Sequence, residues 1–424
     1  MLSPVNVGHK SLADYATIAT RGLMAQIRQL AEPLAGKRVL HLSATAFGGG
    51  VAEINSTLVP LMADAGLDVE WRIIRGSDEF FAVTKVVHNA LQGNPQGLTS
   101  AERDTYARTN ALNAREFDDN FDFVVVHDPQ PAAMLDHHPR SAAHWIWRCH
   151  IDLSTPNDDV LAFLLPSLRQ YAATIFHLRD YVPRDDLPPA HVWPPAIDPL
   201  TPKNMALAAE DAAYIVDQFG IDVERPLLTQ VSRFDPWKDP LGVIDAYRSV
   251  KAEHPEVQLA LVGSMAHDDP EGWEFYDQTV AYAAGDPDIF ILSNLNNVGA
   301  VEVNAFQVHS AAVIQKSIRE GFGLTVTEAL WKARPTVGGR VGGIVTQVED
   351  GTTGWLVDSS MECADACREI LADPDGARAR ALRGKEHVRR RFLMPRLLRD
   401  WLALFNRLLG NDTAGVDTAA EAAA

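Results

Sequence analysis

Two glutamates, Glu320 and Glu328, stand eight positions apart in "QKSIREGFGLTVTEALWKA" (315–333), on either side of a Gly-Phe-Gly turn. The apolar run before the turn and the periodic run after it predict strand, loop and helix in that order. Gly321 and Gly323 then fall at a strand-to-helix junction. There the first helical N–H groups lack internal partners and attract anions or hydroxyl oxygens. A carboxylate on the loop can accept hydrogen bonds from hydroxyls, and one about a turn into the helix can reach a diol such as that of ribose. Either glutamate alone would read as a charge complementing the helix dipole.

A second constellation follows the apolar run "PLLTQVSRF". In "SRFDPWKDP", Arg233 and Lys238 flank a turn built from Asp235 and Pro236. A guanidinium fork and an ammonium point charge suit a pyrophosphate, whereas surface ion pairs are the plainer alternative. A third is "ATAFGGGVAEI", where Gly48, Gly49 and Gly50 follow the first long strand. Adjacent glycines let a ligand approach the backbone closely, and open α/β sheets bind ligands at the carboxyl ends of their strands. The spacing is not that of the dinucleotide fingerprint, so no nicotinamide cofactor is expected.

These loops need strands behind them. "KRVLHLS" (37–43), "LDVEWRII", "FDFVVVH", "AHWIWRCH" and "ATIFHL" alternate with helical stretches, the first of them from about Ala52 to Ala65. Prolines at 194, 195, 199 and 202 interrupt the pattern and predict a hinge. "PLLTQVSRF", "VQLALVG", "IFILSN", "AAVIQKS", "RPTVGG" and "GWLV" then repeat it. The fold class is therefore α/β, with two Rossmann-like doubly wound halves. The expected domains are 1–195, 196–390, a C-terminal helix over 391–409 returning to the first domain, and an unordered tail over 410–424 with little apolar bulk. Within the helix, Leu398, Trp401, Phe405 and Leu408 make an apolar stripe, and Pro395 suits its first turn.

At 424 residues, 46% hydrophobic and 22% charged, the composition is globular. A net charge of −18 repels a nucleic-acid backbone, and the run "RRRF" reads as a solvated helix face. No run approaches the ~20 apolar residues that span a bilayer, and the N-terminal residues lack the basic flank and apolar block of a leader. Cys149, Cys363 and Cys367 make neither a disulfide framework nor a zinc set, which points to the reducing cytoplasm. "DPD" occurs at 286–288 and 373–375, but proline-centred aspartates are common turns, and no metal is expected.

"SIREGFGLTVTEALWKARPTVGGRVGGI" resembles the retaining nucleotide-sugar glycosyltransferases of GT-B architecture, two Rossmann-like domains facing across a cleft. "FGGGVAEI", "EFFAVTKVVHNALQG", "VHDPQPAAM", "WRCHIDLSTPN", "VSRFDPWKDP" and "GSMAHDDPEGW" are similar to the glycosyltransferring trehalose synthases within that group. The resemblance covers roughly residues 10–405. It implies that Arg233 and Lys238 hold the donor diphosphate, that Glu320 and the N–H groups of Gly321, Phe322, Gly323 and Leu324 meet the donor sugar, and that Glu328 meets the ribose. It puts His150 beside the reacting sugar and Gly49 and Gly50 over the diphosphate. Asp128 and Gln130 are the acceptor-side candidates, and Asn294, in "LSNLNNVG", a candidate at the base pocket. Phe80, Phe81 and Val83 read equally as acceptor pocket or as core; Ala82 and Lys316 depart from the family pattern at positions without a chemical role.

The implied activity is transfer of glucose from a nucleotide-glucose (ADP- or UDP-glucose) to free glucose, giving α,α-trehalose with retention, with no cofactor beyond the donor. The implied partners are nucleotide-glucose and glucose or trehalose, with no nucleic acid and no membrane; a homodimer is left open. A trehalose phosphorylase and a sugar-nucleotide epimerase of the same architecture are the alternatives.

Overall fold

The computed structural model describes residues 2–47, 49–118, 120–183, 186–265 and 270–411, Pro270 without its side chain. Gly48 of the triple glycine, and all of the expected tail beyond Asn411, lie outside the described residues. The chain divides into two units, residues 1–195 with 394–424 and residues 196–393.

In the first unit the strands are β1 (Ser3–Pro4), β2 (Arg38–Ser43), β3 (Asp68–Ile73), β4 (Phe123–His127), β5 (His144–Arg148), β6 (Ala173–Phe176) and β7 (Ala190–Val192). They lie in the order β1-β3-β2-β4-β5-β6-β7. All neighbours are parallel except β1, which runs antiparallel to β3 at the edge. The short β1 and β7 carry no alternating pattern that a sequence reading could detect. The chain leaves β2 for β3 on one side and returns to β4 on the other, so the switch point lies between β2 and β4.

The period of two sends alternate residues to opposite faces. Val124 and Val126 enter the larger core with Trp147 and Phe176. Phe123, on the other face, stacks on Phe405 with ring centroids 4.2 Å apart. Phe405 belongs to the helix Met394–Leu408, which lies against the helices Arg21–Ala31 and Gly49–Asp64 of this same unit. Its apolar stripe is buried at Leu398, Trp401, Leu402 and Phe405. Arg396 fastens its first turn by donating to the carbonyls of Pro194 and Pro195 at 2.8 and 3.0 Å. The helix Gly49–Asp64 begins three residues before the apolar periodicity does, so Gly49 and Gly50 form its first turn rather than a loop. The φ of +75° at Gly49 explains the residue type there.

In the second unit the strands are β8 (Leu227–Val231), β9 (Gln258–Val262), β10 (Ile289–Leu292), β11 (Ala312–Gln315), β12 (Thr336–Gly339) and β13 (Trp355–Val357). The order is β10-β9-β8-β11-β12-β13, parallel throughout. Each β8, β9 and β11 residue is buried, as expected where helices cover both faces. The switch point lies between β8 and β11, which sets the loops carrying Arg233 and Glu320 side by side. Residues 391–393 stay with this unit because the N–H of Ile197 donates to the carbonyl of Phe392 at 2.9 Å and Phe392 packs on Phe322.

Candidate active site

The loop after β8 folds into a single 3-10 turn, Pro236–Lys238, capped by the Asp235 side chain accepting from the Lys238 N–H. The carbonyl of Trp237 accepts from the Ile318 N–H at 2.9 Å, which ties this loop to the one after β11. Arg319 covers the Trp237 ring at 4.9 Å. Gln230, on β8, donates to the Lys238 carbonyl at 2.7 Å from below. So held, Lys238 Nζ lies 2.7 Å from Glu320 Oε2, which also accepts from Ser317 Oγ at 3.1 Å. Arg233 is not part of this pair. Its guanidinium lies 3.0 Å from Asp235, and its side chain is 69% exposed. Lys316, for which the sequence offered no role, is buried and paired with Asp239.

The glycine turn is shaped by contacts on its far side. Gly323 caps the helix Leu324–Trp331 with a φ of +84°, which disfavours any side chain. A Cβ on Gly343 would sit 2.5 Å from the Phe322 Cα, so the "VGG" following β12 is glycine because the turn rests on it. Gln347 donates to the Phe322 carbonyl at 2.5 Å and to that of Gly323 at 3.4 Å. It thereby occupies carbonyls of the turn from behind.

Glu328, expected at the ribose, is buried on the helix Leu324–Trp331. Its side chain has no exposure, and its carboxylate lies 2.9 Å from Lys203 Nζ and 3.5 Å from Gln307 Nε2. Lys332, one turn on, donates to Asn204 Oδ1 at 2.9 Å and to the Glu328 carbonyl at 3.4 Å. Burial, with Lys203 adding to it and Glu328 opposing, brings the Lys332 ammonium down to about 7. The buried carboxylate is thus paired with Lys203, a cation from the proline-rich segment. Nothing in its spacing signals that. Asn294 is also engaged: it accepts from the Met265 N–H at 2.7 Å and donates to the Met265 carbonyl at 3.1 Å, bracing that loop.

In the first unit Asp128 and His150 are together. Asp128, after β4, has a φ of 63°, a strained value for a residue with a side chain. Its carboxylate accepts the His150 N–H at 2.7 Å, while its carbonyl accepts from Trp147 Nε1 at 3.0 Å. Loss of hydration, only partly offset by that N–H and by Arg148, raises the carboxyl to about 7. Gln130 is drawn into the scaffold through its carbonyl, which accepts from Asn110 at 3.1 Å. Phe80 and Val83 are core, whereas Phe81 is partly exposed and, with Phe47, Thr45 and Arg75, lines an open pocket beyond β2 and β3.

Three further histidines accompany His150. His41 Nδ1 lies 2.9 Å from His127 Nε2, and His127 Nδ1 lies 2.9 Å from His150 Nε2. His177 meets the His150 ring edge-on at 5.5 Å. The strand registers explain the row. His41 pairs with Val125, two residues before His127, and His127 with Arg148, two residues before His150, which lies just past the end of β5. Burial drives the His41 imidazolium down to about 3 and those of His127, His150 and His177 well below their ordinary value. The signal was available in the sequence: "VLHLS" and "FVVVHD" each set a histidine within an otherwise apolar strand.

The aspartates of the first "DPD" run are engaged by cations. Lys251 Nζ lies 2.8 Å from Asp286 and 2.9 Å from Asp288, and Arg225 lies 2.8 Å from Asp288. Despite some desolvation, these contacts hold both carboxyls below their ordinary value. In the second run Asp373 caps a helix by accepting from the Gly376 N–H.

Two mostly parallel sheets, each with its polar residues gathered at the switch point, define a glycosyltransferase of GT-B architecture. Residues 41–183 match the family described as "Trehalose synthase, N-terminal domain", and residues 213–387 match "Glycosyl transferases group 1". The chain is 59% identical to the trehalose synthase of Rubrobacter xylanophilus over 97% of this chain and 100% of that one. It is 45% identical to the trehalose synthase of Pyrococcus horikoshii over 95% of this chain and 98% of that one. The chain therefore belongs to the trehalose synthase family of glycosyltransferases. A solved structure described as "Trehalose-6-phosphate from E. coli bound with UDP-2-fluoro glucose" superposes with a TM-score of 0.69 at 14% identity, over 88% of this chain and 99% of that one, a likeness of fold. Among the described residues no helix is long and apolar enough to cross a membrane.

Proposed function

We propose that this chain moves glucose from a nucleotide-glucose donor, ADP- or UDP-glucose, to free glucose with retention, forming α,α-trehalose in the cytoplasm without a metal ion. The observation that carries the reading is the Lys238–Glu320 pair at 2.7 Å on two linked loops at the switch point of the second sheet. An ammonium has three donors, so Lys238 can keep Glu320 and still meet a diphosphate oxygen. Glu320, as a carboxylate, offers acceptor oxygens suited to sugar hydroxyls.

Cleaving the bond from sugar to diphosphate builds negative charge on the leaving oxygen. A preorganised donor aimed at it is worth about 3 kcal/mol of barrier, and Lys238 is preorganised by its loop contacts. Arg233, exposed and paired with Asp235, can swing onto the diphosphate at the cost of a surface ion pair worth under about 1 kcal/mol. Asp128, Gln130 and His150 are assigned to the sugars. The carboxylate of Asp128 is spent on the His150 N–H, which favours same-face attack over a covalent glucosyl intermediate. The names of the relatives and the UDP-2-fluoro glucose of the E. coli structure support this choice of substrates. The cations already on Asp286 and Asp288 support metal independence.

The test is a panel of nucleotide-glucose donors with glucose, scoring free nucleotide and a non-reducing disaccharide, with and without a chelator. Nucleotide release with trehalose, unaffected by chelation, is expected. A requirement for phosphate in place of nucleotide, an epimerised donor, or loss of turnover on chelation would each overturn the corresponding part. A glucosyl adduct trapped on Asp128 or Glu320 would overturn same-face attack.

A further inference from the structure

The three histidine rings are joined head to tail: Nδ1 of one faces Nε2 of the next at both joints, each at 2.9 Å. A neutral imidazole has one donor and one acceptor nitrogen. Each joint must therefore match an N–H with a lone pair, and fixing one ring fixes all three in a common tautomer. The rings are in place to do this. His127 stacks on His41 and on His150 with centroids 5.2 Å apart, and the backbone of His150 is fixed by Asp128. Two outer nitrogens end the row. His41 Nε2 is out of solvent with no partner among the described residues. His150 is only half-buried, and its Nδ1 has no hydrogen-bond partner among the described residues.

The buried end decides the direction. An orphaned buried N–H is the arrangement folded chains avoid most strongly, so the lone pair belongs on His41 Nε2. We propose that His41 and His127 are positioning residues that lock all three rings in the Nδ1–H form, so that His150 presents an Nδ1–H donor to a hydroxyl or ring oxygen of the bound sugar. The row is then an extension of the His150 site into the sheet, from the residues after β5 across β4 to β2. The last step rests on the proposed function, in which His150 faces the sugar. The common tautomer does not.

The experiment is NMR of the full chain with isotope-labelled imidazole nitrogens at neutral pH, joined to steady-state kinetics. Wild-type protein should show His41, His127 and His150 all as neutral Nδ1–H. His127→Leu should release His150 into a mixture of tautomers and lower kcat about tenfold, the worth of one hydrogen bond, with the donor KM little changed. His127→Asn, which can put an amide N–H in place of Nδ1–H, should restore the His150 signature and most of the kcat. His41→Leu and His41→Asn should repeat that contrast more weakly, and serve where His127→Leu does not fold. An Nε2–H signature at any of the three rings, or a His150 signature indifferent to His127→Leu, overturns the proposal. If wild-type protein makes no disaccharide, the proposed function falls while the spectra still decide the tautomer.

Discussion

The two units carry similar parallel sheets and open their polar residues at the same topological position, yet the electrostatics there are opposite. In the second unit the groups there are ion pairs: Lys238 with Glu320, Lys203 with Glu328, Arg233 with Asp235. In the first they are imidazoles kept neutral by burial, and one carboxyl raised to about 7. The difference suits the two kinds of ligand in the proposed function. A diphosphate brings full negative charge, which fixed cations can meet without reorganising. A sugar brings only hydroxyls, and a buried neutral donor or acceptor reads those without the desolvation penalty of an ion.

Lys238→Ala strikes the charged side hardest. We expect kcat to fall a hundredfold or more, about 3 kcal/mol of barrier, with the donor KM little changed; steady-state rates over a donor series check it. On the neutral side, the Asp128 carboxyl holds the His150 N–H more strongly when ionised, since a charged acceptor makes the stronger hydrogen bond. Activity should therefore drop on a one-proton limb as pH falls through about 7, and Asp128→Asn should remove the limb. Stability should move the other way. A carboxyl raised above its unfolded value stabilises the fold at low pH and ceases to as pH rises through about 7, which denaturation midpoints against pH would show.

Glu328→Ala should raise the donor KM roughly tenfold, and removing the buried carboxylate that Lys203 and Gln307 contact should cost about 1–3 kcal/mol of stability. Calorimetry and titration with the nucleotide alone separate the two effects. Raising salt from about 0.05 to 0.5 M should raise the donor KM a few-fold and leave the glucose KM unchanged, because only one ligand depends on ion pairing. The smallest effect should come from Lys332→Met. A lysine lowered to about 7 makes stability rise with pH from there toward its ordinary value, and the substitution should flatten that slope.

Much of this was legible in the sequence because it is local. β-branched runs, proline breaks and glycines at strand ends are written within a few residues of where they act, and they gave the two-fold α/β pattern and the loops carrying Lys238 and Glu320. A row of three side chains from β2, β4 and the residues just after β5 is not local, although His41 and His127 are each visible as a polar residue inside an apolar strand.

The spacing of residues along the chain settled which elements form and which loops face the carboxyl edge of each sheet, since periodicity and turn chemistry operate over one or two turns. Only tertiary structure decided who pairs with whom: that Glu328 is buried against Lys203, that Asp128 serves the His150 backbone, and that Arg233 pairs with Asp235 while Lys238 pairs with Glu320. Strand order and register bring together residues separated by tens of positions, and desolvation, which sets the charge each group carries, exists only once the core has closed around them.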